Sequence, residues 1–469
     1  MILGATFEKF LDASPLCVML RAVMENLFTP PKVNAVFHQV AVTQYQRELL
    51  FSTLVDLTRL VVCRVHPSVH AAYEKARQRI PVSVSALYAK LRHVEPATVR
   101  ALVQTTAHTV TDLIDRLGGG CQPLLSGYRV RILDGNHLSG TDHRLEVLRH
   151  TATGALPGQA LVLLDPQRMV IADIFPCEDG HAQERSLLDQ VLPVLAARDL
   201  RIDDRNFCTA AFLCGLARRR VRFITRQQGR MPLRLLGKRH PRGRCPSGQV
   251  YEQQAVVTDP DTRREIPVRR VTVRLDQPTR DGDRELHLLT NLPATKANAV
   301  RVAILYRKRW NLETAFQEMT VHLQCALNTL GYPRAALFAF GVAVCCYNQF
   351  AAVKGALRAV HGQEVLEKQL SNFAVVEEVR GVYRGMMIAL PPTEWTVFQT
   401  VSLAELAGTL LDWASRVKLA NYRKQQRGPK KPRPRRPNAQ FHHVSTAKLL
   451  AEKRLQARSK PKKPVKASP

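Results

Sequence analysis

The chain lacks the cysteine spacing of a structural metal site. Its ten cysteines are scattered over 469 residues, with no CxxC pair and no Cys/His spacing typical of zinc ligands. They are therefore expected to be reduced thiols of a cytoplasmic protein. The first fifteen residues, MILGATFEKFLDASP, also lack the basic start, apolar run and small-residue cleavage site of a signal peptide, so export is not expected.

Acidic residues are scarce. The chain has 69 Lys and Arg against 39 Asp and Glu, a net charge of +30. Half of this net positive charge lies in residues 423–469, which hold 16 Lys/Arg and one acid, Glu452. A basic tail alone is typical of a solubility segment or a nonspecific tether. Because the rest of the chain is basic as well, the composition predicts phosphate-rich partners and favours nucleic acid over a membrane surface.

Long uncharged runs are rare. One run, AALFAFGVAVCCYNQFAAV at residues 335–353, has the length of a membrane span. It contains Tyr347, Asn348 and Gln349, and the sequence has no second run of this kind. We therefore predict a buried core helix, and no membrane partner.

The pattern of apolar residues changes from helical to extended near residue 125. Residues 1–120 have helical periodicity and end in the run Gly118–Gly120, which predicts a helical N-terminal domain. Short β-branched segments and helical segments then alternate, which predicts a mixed α/β sheet. The expected strands are 128–134, 160–165, 168–175, 200–203 and 221–226, and the expected helices are 182–198 and 207–219.

Two further blocks complete the expected architecture. Residues 227–295 hold short β segments separated by Pro, Gly and Asp turns, which predicts a β-rich insertion. Helices resume near residue 297. The end of the chain, with RGPKKPRPRRP and KPKKPVKASP, is basic and Pro-rich and is predicted to be a disordered tail.

One amphipathic segment, LYRKRWNLETAFQEM at residues 305–319, places an acid among basic and aromatic residues. Its apolar residues recur at helical spacing, and Tyr306, Arg309 and Glu313 share a neighbouring face. A carboxylate in this company indicates metal-dependent chemistry on a polyanion. The alternative is an ordinary exposed ion pair between Arg309 and Glu313.

Two other acids lie where predicted strands end. Asp134 ends the first strand in ILDGNHL, where Gly135 permits close approach of a ligand or a second chain to the backbone. Asp204 follows the fourth strand in RIDDRNF, and Asp203 is the alternative at that position. Ligands of open α/β sheets bind at this edge, so Asp134, Asp204 and Glu313 are expected to converge there. Three carboxylates suit Mg²⁺ or Mn²⁺, although Asp134 could instead be a turn residue.

These motifs resemble the DDE transposases of bacterial insertion sequences, specifically the insertion-sequence-four family, over roughly residues 125–345. The resemblance is carried by ILDGN, by DDRNF, and by Tyr306, Arg309 and Glu313 in their spacing. It departs from the family at Thr320, where the family motif has a lysine.

The resemblance implies a ribonuclease H-like catalytic core interrupted by the β-rich insertion. It assigns Asp134, Asp204 and Glu313 to catalysis and to two Mg²⁺ ions, for which Mn²⁺ can substitute, and Tyr306 and Arg309 to DNA phosphates. The expected domains are a helical DNA-binding domain, the first part of the core, the insertion, the second part of the core with C-terminal helices, and the tail, at residues 1–124, 125–226, 227–295, 296–420 and 421–469.

The function implied is cut-and-paste transposition, in which the protein binds terminal inverted repeats, cleaves the DNA and transfers the strand. The implied partners are double-stranded DNA, both element ends and target, and a second copy of the chain, in a cytoplasmic, nucleoid-associated location. Two alternatives stay open: a ribonuclease H-like nuclease without strand transfer, and an inactive DNA-binding descendant, for which Thr320 is the supporting feature.

The charge predicts a steep salt dependence of DNA binding. Because each neutralised phosphate releases counterions, the logarithm of the affinity for duplex DNA should fall linearly with the logarithm of the salt concentration. Fluorescence anisotropy with a labelled duplex over a range of NaCl concentrations measures the slope. An affinity that does not change with salt would contradict the charge argument.

Overall fold

The N-terminal part of the chain, before residue 118, is helical. In the computed structural model, the described residues are 4–44, 46–138, 141, 145–149, 154–229, 231–279, 282–309, 315–316, 323–425 and 443–459. The N-terminal helices are α1 (Ala5–Ala13), α2 (Pro15–Leu27), α3 (Pro30–Val40), α4 (Phe51–Val62), α5 (Val69–Ala76), α6 (Val84–Leu91) and α7 (Pro96–Leu117).

Local sequence sets the ends of these helices. Ser68 and Ser83 accept hydrogen bonds from the first turns of α5 and α6, as helix-capping side chains do. Gly118 follows α7 with φ of 63°, a left-handed conformation that favours glycine. The predicted stop at the glycine run is therefore confirmed.

The remaining helices come from the other end of the chain and pack on the first set. In the described residues they are α8 (Leu188–Val191), α9 (Ala210–Arg218), α10 (Ala299–Arg307), α11 (Pro333–His361), α12 (Gln363–Gln369), α13 (Asn372–Ala389), α14 (Thr393–Thr400), α15 (Leu403–Arg416) and α16 (Thr446–Ser459). Phe7 of α1 lies 4.9 Å from Trp395 of α14 and 6.0 Å from Trp413 of α15, measured between ring centroids. The helical layer is thus built from both ends of the chain, and the domain boundaries given above stay a prediction.

Helix α11 runs through the centre of this layer. Among the described residues it is the one helix that is long and apolar enough to cross a membrane, and its apolar window is buried entirely within the protein. It packs against α2, α4, α7 and α15. The predicted burial of residues 335–353 is confirmed.

One large mixed sheet lies beside the helices. Its nine described strands follow the order β4-β3-β1-β5-β6-β10-β9-β8-β7, with β1, β5 and β6 parallel and the other pairs antiparallel. The strands are β1 (Arg129–Leu138), β3 (Gly158–Asp165), β4 (Val170–Cys177), β5 (Asp199–Asp203), β6 (Arg222–Arg226), β7 (Arg234–Cys245), β8 (Gly248–Thr258), β9 (Glu265–Leu275) and β10 (Glu285–Thr290). The mixed α/β class is confirmed. The strands of residues 227–295 continue the core sheet through the β6–β10 pair.

Alternating side chains of the sheet enter two cores. Ile132, Ile202 and Ile224 face the helical layer, whereas Leu133 and Phe223 face α8, α9 and the neighbouring helical turns. The single helix expected at residues 182–198 is wrong: the segment forms three short turns, Glu184–Leu187, Leu188–Val191 and Leu192–Val194. Pro193 has no backbone N–H and so cannot extend the helical hydrogen bonding.

Polar contacts from α7 and α11 fix the helical layer to the edge strand β4. Arg100 of α7 binds Asp173 through two hydrogen bonds, of 3.0 and 2.7 Å. The fully buried Asn348 of α11 accepts a hydrogen bond from the Ile171 N–H at 2.8 Å and donates one to the Ile171 carbonyl at 2.9 Å. Because β4 lies at an edge of the sheet, Asn348 supplies the partners that a further strand would supply.

The C-terminal segment corrects the expected disordered tail. Residues 443–459 form β11 (His443–Ser445), which pairs in parallel with β2 (Gly154–Leu156), and α16. Ser445 Oγ donates to Asp179 Oδ1 at 2.5 Å, and Thr446 is buried. This stretch, HVSTAKLLAEKRLQARS, has no proline and contains apolar residues to pack. Residues 426–442 and 460–469, which hold the Pro-rich runs, lie outside the described residues.

Adjacent residues of α11 provide a matched test of the Asn348 contact. Asn348→Leu should lower the free energy of unfolding by roughly 2–5 kcal/mol, because it leaves two buried backbone groups of Ile171 without partners. Gln349→Met should leave it unchanged or raise it, since the buried Gln349 amide has no hydrogen-bond partner among the described residues. Urea denaturation measures both. Equal losses for the two variants would contradict this role of Asn348.

Candidate nucleic-acid-processing site

The parallel pairing of β1 and β5 places two carboxylates side by side. The last pair in this ladder is Leu133 with Asp203, so the next residues on the two strands are Asp134 and Asp204. Both therefore lie at the carboxyl end of the parallel ladder, the edge at which α/β sheets bind ligands. Strand β1 itself does not end at Asp134, as the sequence suggested, because its antiparallel pairing with β3 continues to Leu138.

Asp134 is a largely buried carboxylate paired with Arg309. Arg309 Nη1 donates to Asp134 Oδ2 at 2.7 Å, and the Gly135 N–H donates to Oδ1 at 3.0 Å. Burial raises the pKa of Asp134 to about 6, the nearby carboxylates of Asp204 and Glu184 raise it as well, and Arg309 and the Gly135 N–H oppose them. The site thus concentrates negative charge that a cation stabilises.

Tyr306 lies against the second carboxylate. Its hydroxyl is 3.5 Å from Asp204 Oδ1, a long hydrogen bond. Burial, together with the charge of Asp204, raises the pKa of the Tyr306 hydroxyl above its ordinary value. Tyr306 is therefore a neutral hydrogen-bond donor at physiological pH.

The structure distinguishes Asp204 from its neighbour. Asp203 is fully buried, lies 3.3 Å from the buried Arg201 guanidinium and accepts a hydrogen bond from the Thr225 hydroxyl. Burial raises the pKa of Asp203 to about 6 and lowers that of Arg201 to about 10. The Arg201 guanidinium also lies 4.1 Å from the ring centroid of Phe212. Asp203 therefore faces the core under α9, whereas Asp204 is partly exposed beside Tyr306.

A third carboxylate, Glu184, was missed by the sequence analysis. It starts the turn Glu184–Leu187, and Asn206 Nδ2 donates to its Oε2 at 3.2 Å. Its carboxylate lies directly over the Cα of Gly135, where a Cβ would overlap it. The close approach expected at Gly135 is thus made by Glu184. Gly135 was the available signal, but nothing in the sequence identified which side chain would fill the space.

Comparison with known proteins identifies the domain that carries these residues. Residues 125–349 match the family model described as Transposase DDE domain. Residues 125–349, here called the DDE domain, therefore resemble a DDE transposase domain over just under half of the chain.

One curated relative and one solved structure are similar to the chain. Over 126 residues the chain is 31% identical to a protein of Sinorhizobium fredii (strain NBRC 101917 / NGR234) described as "Putative transposase y4zB". The match covers 26% of the chain and 33% of that protein, so the chain spans about a third of the relative's length. A cryo-EM structure of a piggyBac transposase synaptic complex with hairpin DNA aligns with a TM-score of 0.39 and 10% identity, over 85% of this chain and 84% of that one.

The helix that carries Tyr306 is shorter than expected. In the DDE domain, α10 ends at Arg307, and Lys308 and Arg309 follow in a turn whose N–H groups donate to the carbonyls of Leu305 and Tyr306. The continuous helix over residues 305–319 is therefore wrong at Lys308 and Arg309. The turn places Arg309 on Asp134 while Tyr306 lies beside Asp204. Glu313 and Thr320 lie outside the described residues.

The oxygen ligands of this DDE domain fit a divalent cation. Carboxylates of Asp134 and Asp204 are the hard donors that Mg²⁺ and Mn²⁺ prefer. Burial raises the pKa of Asp134, and the charges of Asp204 and Glu184 add to this effect. Among the described residues, no group of three or more His, Cys, Asp or Glu side chains is close enough to hold a metal ion. A third metal ligand therefore has to come from a residue outside the described ones, or from a described residue that moves toward Asp134 and Asp204.

A methyl group at Gly135 should disturb the DDE domain through Glu184. Gly135→Ala is expected to cost about 1–3 kcal/mol of unfolding free energy, because the added Cβ overlaps the Glu184 carboxylate. In a Glu184→Ala background the same change should cost less, by at least about 0.5 kcal/mol. Urea denaturation of the four proteins measures the coupling.

Gly408→Ala is the control for the Gly135 experiment. Nothing lies within 4 Å of a Cβ at this helical position, so the change should stabilise the protein by roughly 0.5–1 kcal/mol. If Gly135→Ala lowers the free energy of unfolding equally with and without the Glu184 side chain, overlap with Glu184 is not the cause of the loss.

Proposed function

We propose that the protein is a transposase of the insertion-sequence-four type, which binds the terminal inverted repeats of its element and catalyses DNA cleavage and strand transfer. The observation that carries the proposal is the adjacent placement of Asp134 and Asp204 at the carboxyl end of a parallel ladder inside a DDE transposase domain. The net charge of +30 supports DNA as the partner.

Asp134, Asp204 and Glu313 would hold the metal ions of a ribonuclease H-like core. When bound, two divalent cations activate the attacking oxygen and stabilise the leaving oxygen of a phosphodiester. The attacking group is water in cleavage and the freed 3′-hydroxyl in strand transfer. No covalent bond to the protein is needed in either step.

Arg309 and Tyr306 would position the scissile phosphate. Arg309 binds a carboxylate in the described structure, and its forked N–H groups fit a phosphate oxygen equally well. It can therefore exchange Asp134 for the incoming phosphate. Tyr306 is a neutral donor next to Asp204 and can give its hydrogen bond to the same group.

The other parts of the chain have proposed roles in this scheme. Residues 1–124 would recognise the inverted repeats, with the β-rich segment 227–295 inserted in the core. A homodimer would hold both element ends, and the basic residues of 421–469 would add nonspecific contacts to DNA. The location would be the nucleoid of a bacterial cytoplasm.

Substitution of the three acids tests the site. Asp134→Asn, Asp204→Asn and Glu313→Gln should each lower Mg²⁺-dependent cleavage of element-end DNA roughly 100-fold or more, since bound metal supplies several kcal/mol of transition-state stabilisation. The exposed Asp189→Asn is the matched control and should retain full activity. Retained cleavage in Asp134→Asn or Glu313→Gln would make the assignment wrong.

Pre-cut element ends separate transposition from simple hydrolysis. With ends that already carry a free 3′-hydroxyl, a transposase joins them to target DNA, whereas a nuclease on the same fold gives no joined product. An inactive DNA-binding descendant would bind the ends without cleaving or joining them. Gel analysis of labelled ends incubated with Mg²⁺ and plasmid DNA distinguishes the three results.

A further inference from the structure

A basic cleft lies at the end of α10. It has a volume of about 290 Å³ and is formed by segments distant in sequence. These segments are the loop after α7, the β3–β4 turn, the end of α10, helices α11 and α12, and the chain after α15.

Four cationic side chains line this basic cleft: Lys308, Lys354, Arg358 and Lys424. Arg358 is buried and donates to the Gly119 carbonyl, and Lys424 donates to the Glu367 carbonyl. Because both acceptors are uncharged backbone oxygens, these contacts orient the two cations without cancelling their charge. Among the described residues of the lining, Glu367 is the one acid, so these side chains together carry an excess of three positive charges.

The walls of the basic cleft are not uniformly polar. Leu124, Pro166, Met169 and Leu366 provide apolar surface, and Gln122 and Asn372 provide amides. A cavity with converging cations, apolar walls and a few amides suits a ligand that combines a phosphate with a flat or apolar part. A nucleotide unit has this composition.

The position of Lys308 relates the basic cleft to the reaction. Lys308 and Arg309 are consecutive in the turn after α10, and Arg309 binds Asp134 at 2.7 Å whereas Lys308 lines the cleft. Arg301, two turns earlier on α10, donates to the Leu124 carbonyl in the cleft wall. Two consecutive residues thus contact Asp134 and line the basic cleft.

We propose that the basic cleft binds phosphate groups of a nucleotide strand next to the scissile phosphate. That this strand is the DNA of the element or its target rests on the proposed function. A free nucleotide also carries a phosphate attached to a nucleoside, and the tests separate a DNA strand from a free nucleotide.

The first test measures single-strand binding with two matched double variants. Lys354→Gln with Lys424→Gln should weaken the affinity for a labelled ten-nucleotide oligothymidylate about tenfold or more, and lower the magnitude of its log–log salt slope by about 1.4. Lys296→Gln with Lys368→Gln removes two charges outside the cleft lining and should change the affinity less than about twofold. Equal effects of the two pairs would overturn the proposal.

The second test uses the unmodified protein and does not depend on folding of a variant. Cys121 lines the basic cleft and is partly exposed, and Cys177 is partly exposed elsewhere. Bound oligothymidylate should slow maleimide labelling of Cys121 and leave that of Cys177 unchanged, as read by mass spectrometry. Inorganic triphosphate and thymidine triphosphate serve as separate probes.

The outcomes distinguish the possible ligands. Protection of Cys121 by oligothymidylate supports a strand site, and protection by thymidine triphosphate alone assigns the cleft to free nucleotides and overturns the strand assignment. No protection by any probe overturns the phosphate site itself. Repeating the labelling with Asp134→Asn separates this inference from the proposed function, because strand binding in the cleft should persist when cleavage is lost.

Discussion

The parallel pairing of β1 with β5 is the constraint on which the site depends. Its register aligns Leu133 with Asp203, and so sets Asp134 and Asp204 next to each other one residue further on. If either strand slipped by one residue, the acid of that strand would turn to the opposite face, toward the core under α9 that Asp203 now faces. Everything that contacts the acids, including Arg309, Tyr306 and Glu184, is brought to this one point of the ladder.

Adjacent carboxylates in a buried place repel each other, and the fold offsets this with groups at the end of α10. Arg309 pairs with Asp134 and the Tyr306 hydroxyl reaches Asp204, yet the pKa of Asp134 is still raised to about 6. The compensation of the Asp134 charge is therefore incomplete. Burial raises the pKa of Asp203 to about 6 as well, but its partners Arg201 and Thr225 lie within the core, so Asp203 faces away from the site.

The sequence predicted those features that depend on local pattern. β-branched runs located the central strands, Gly118 ended α7, and the polar residues in 335–353 indicated a core helix. It did not predict features that depend on distant partners. The turn after α10 places Arg309 on Asp134, 175 residues away, the contact of Glu184 with Gly135 joins two segments about 50 residues apart, and β11 pairs with the distant β2. The N-terminal helices likewise gave no sign that α11, α14 and α15 complete their core.

The end of α10 joins the two surfaces that we propose contact the DNA strand, the catalytic acids and the basic cleft. Because the helix stops at Arg307, the next two residues diverge: Lys308 reaches the basic cleft and Arg309 reaches Asp134. In a continuous helix, the side chains of Lys308 and Arg309 would point in directions about 100° apart around one helix axis. In the proposed function, this turn would let one phosphate meet Arg309 while its neighbour meets the cations of the cleft. The residue at which α10 ends would then set the path of the bound strand relative to the carboxylates.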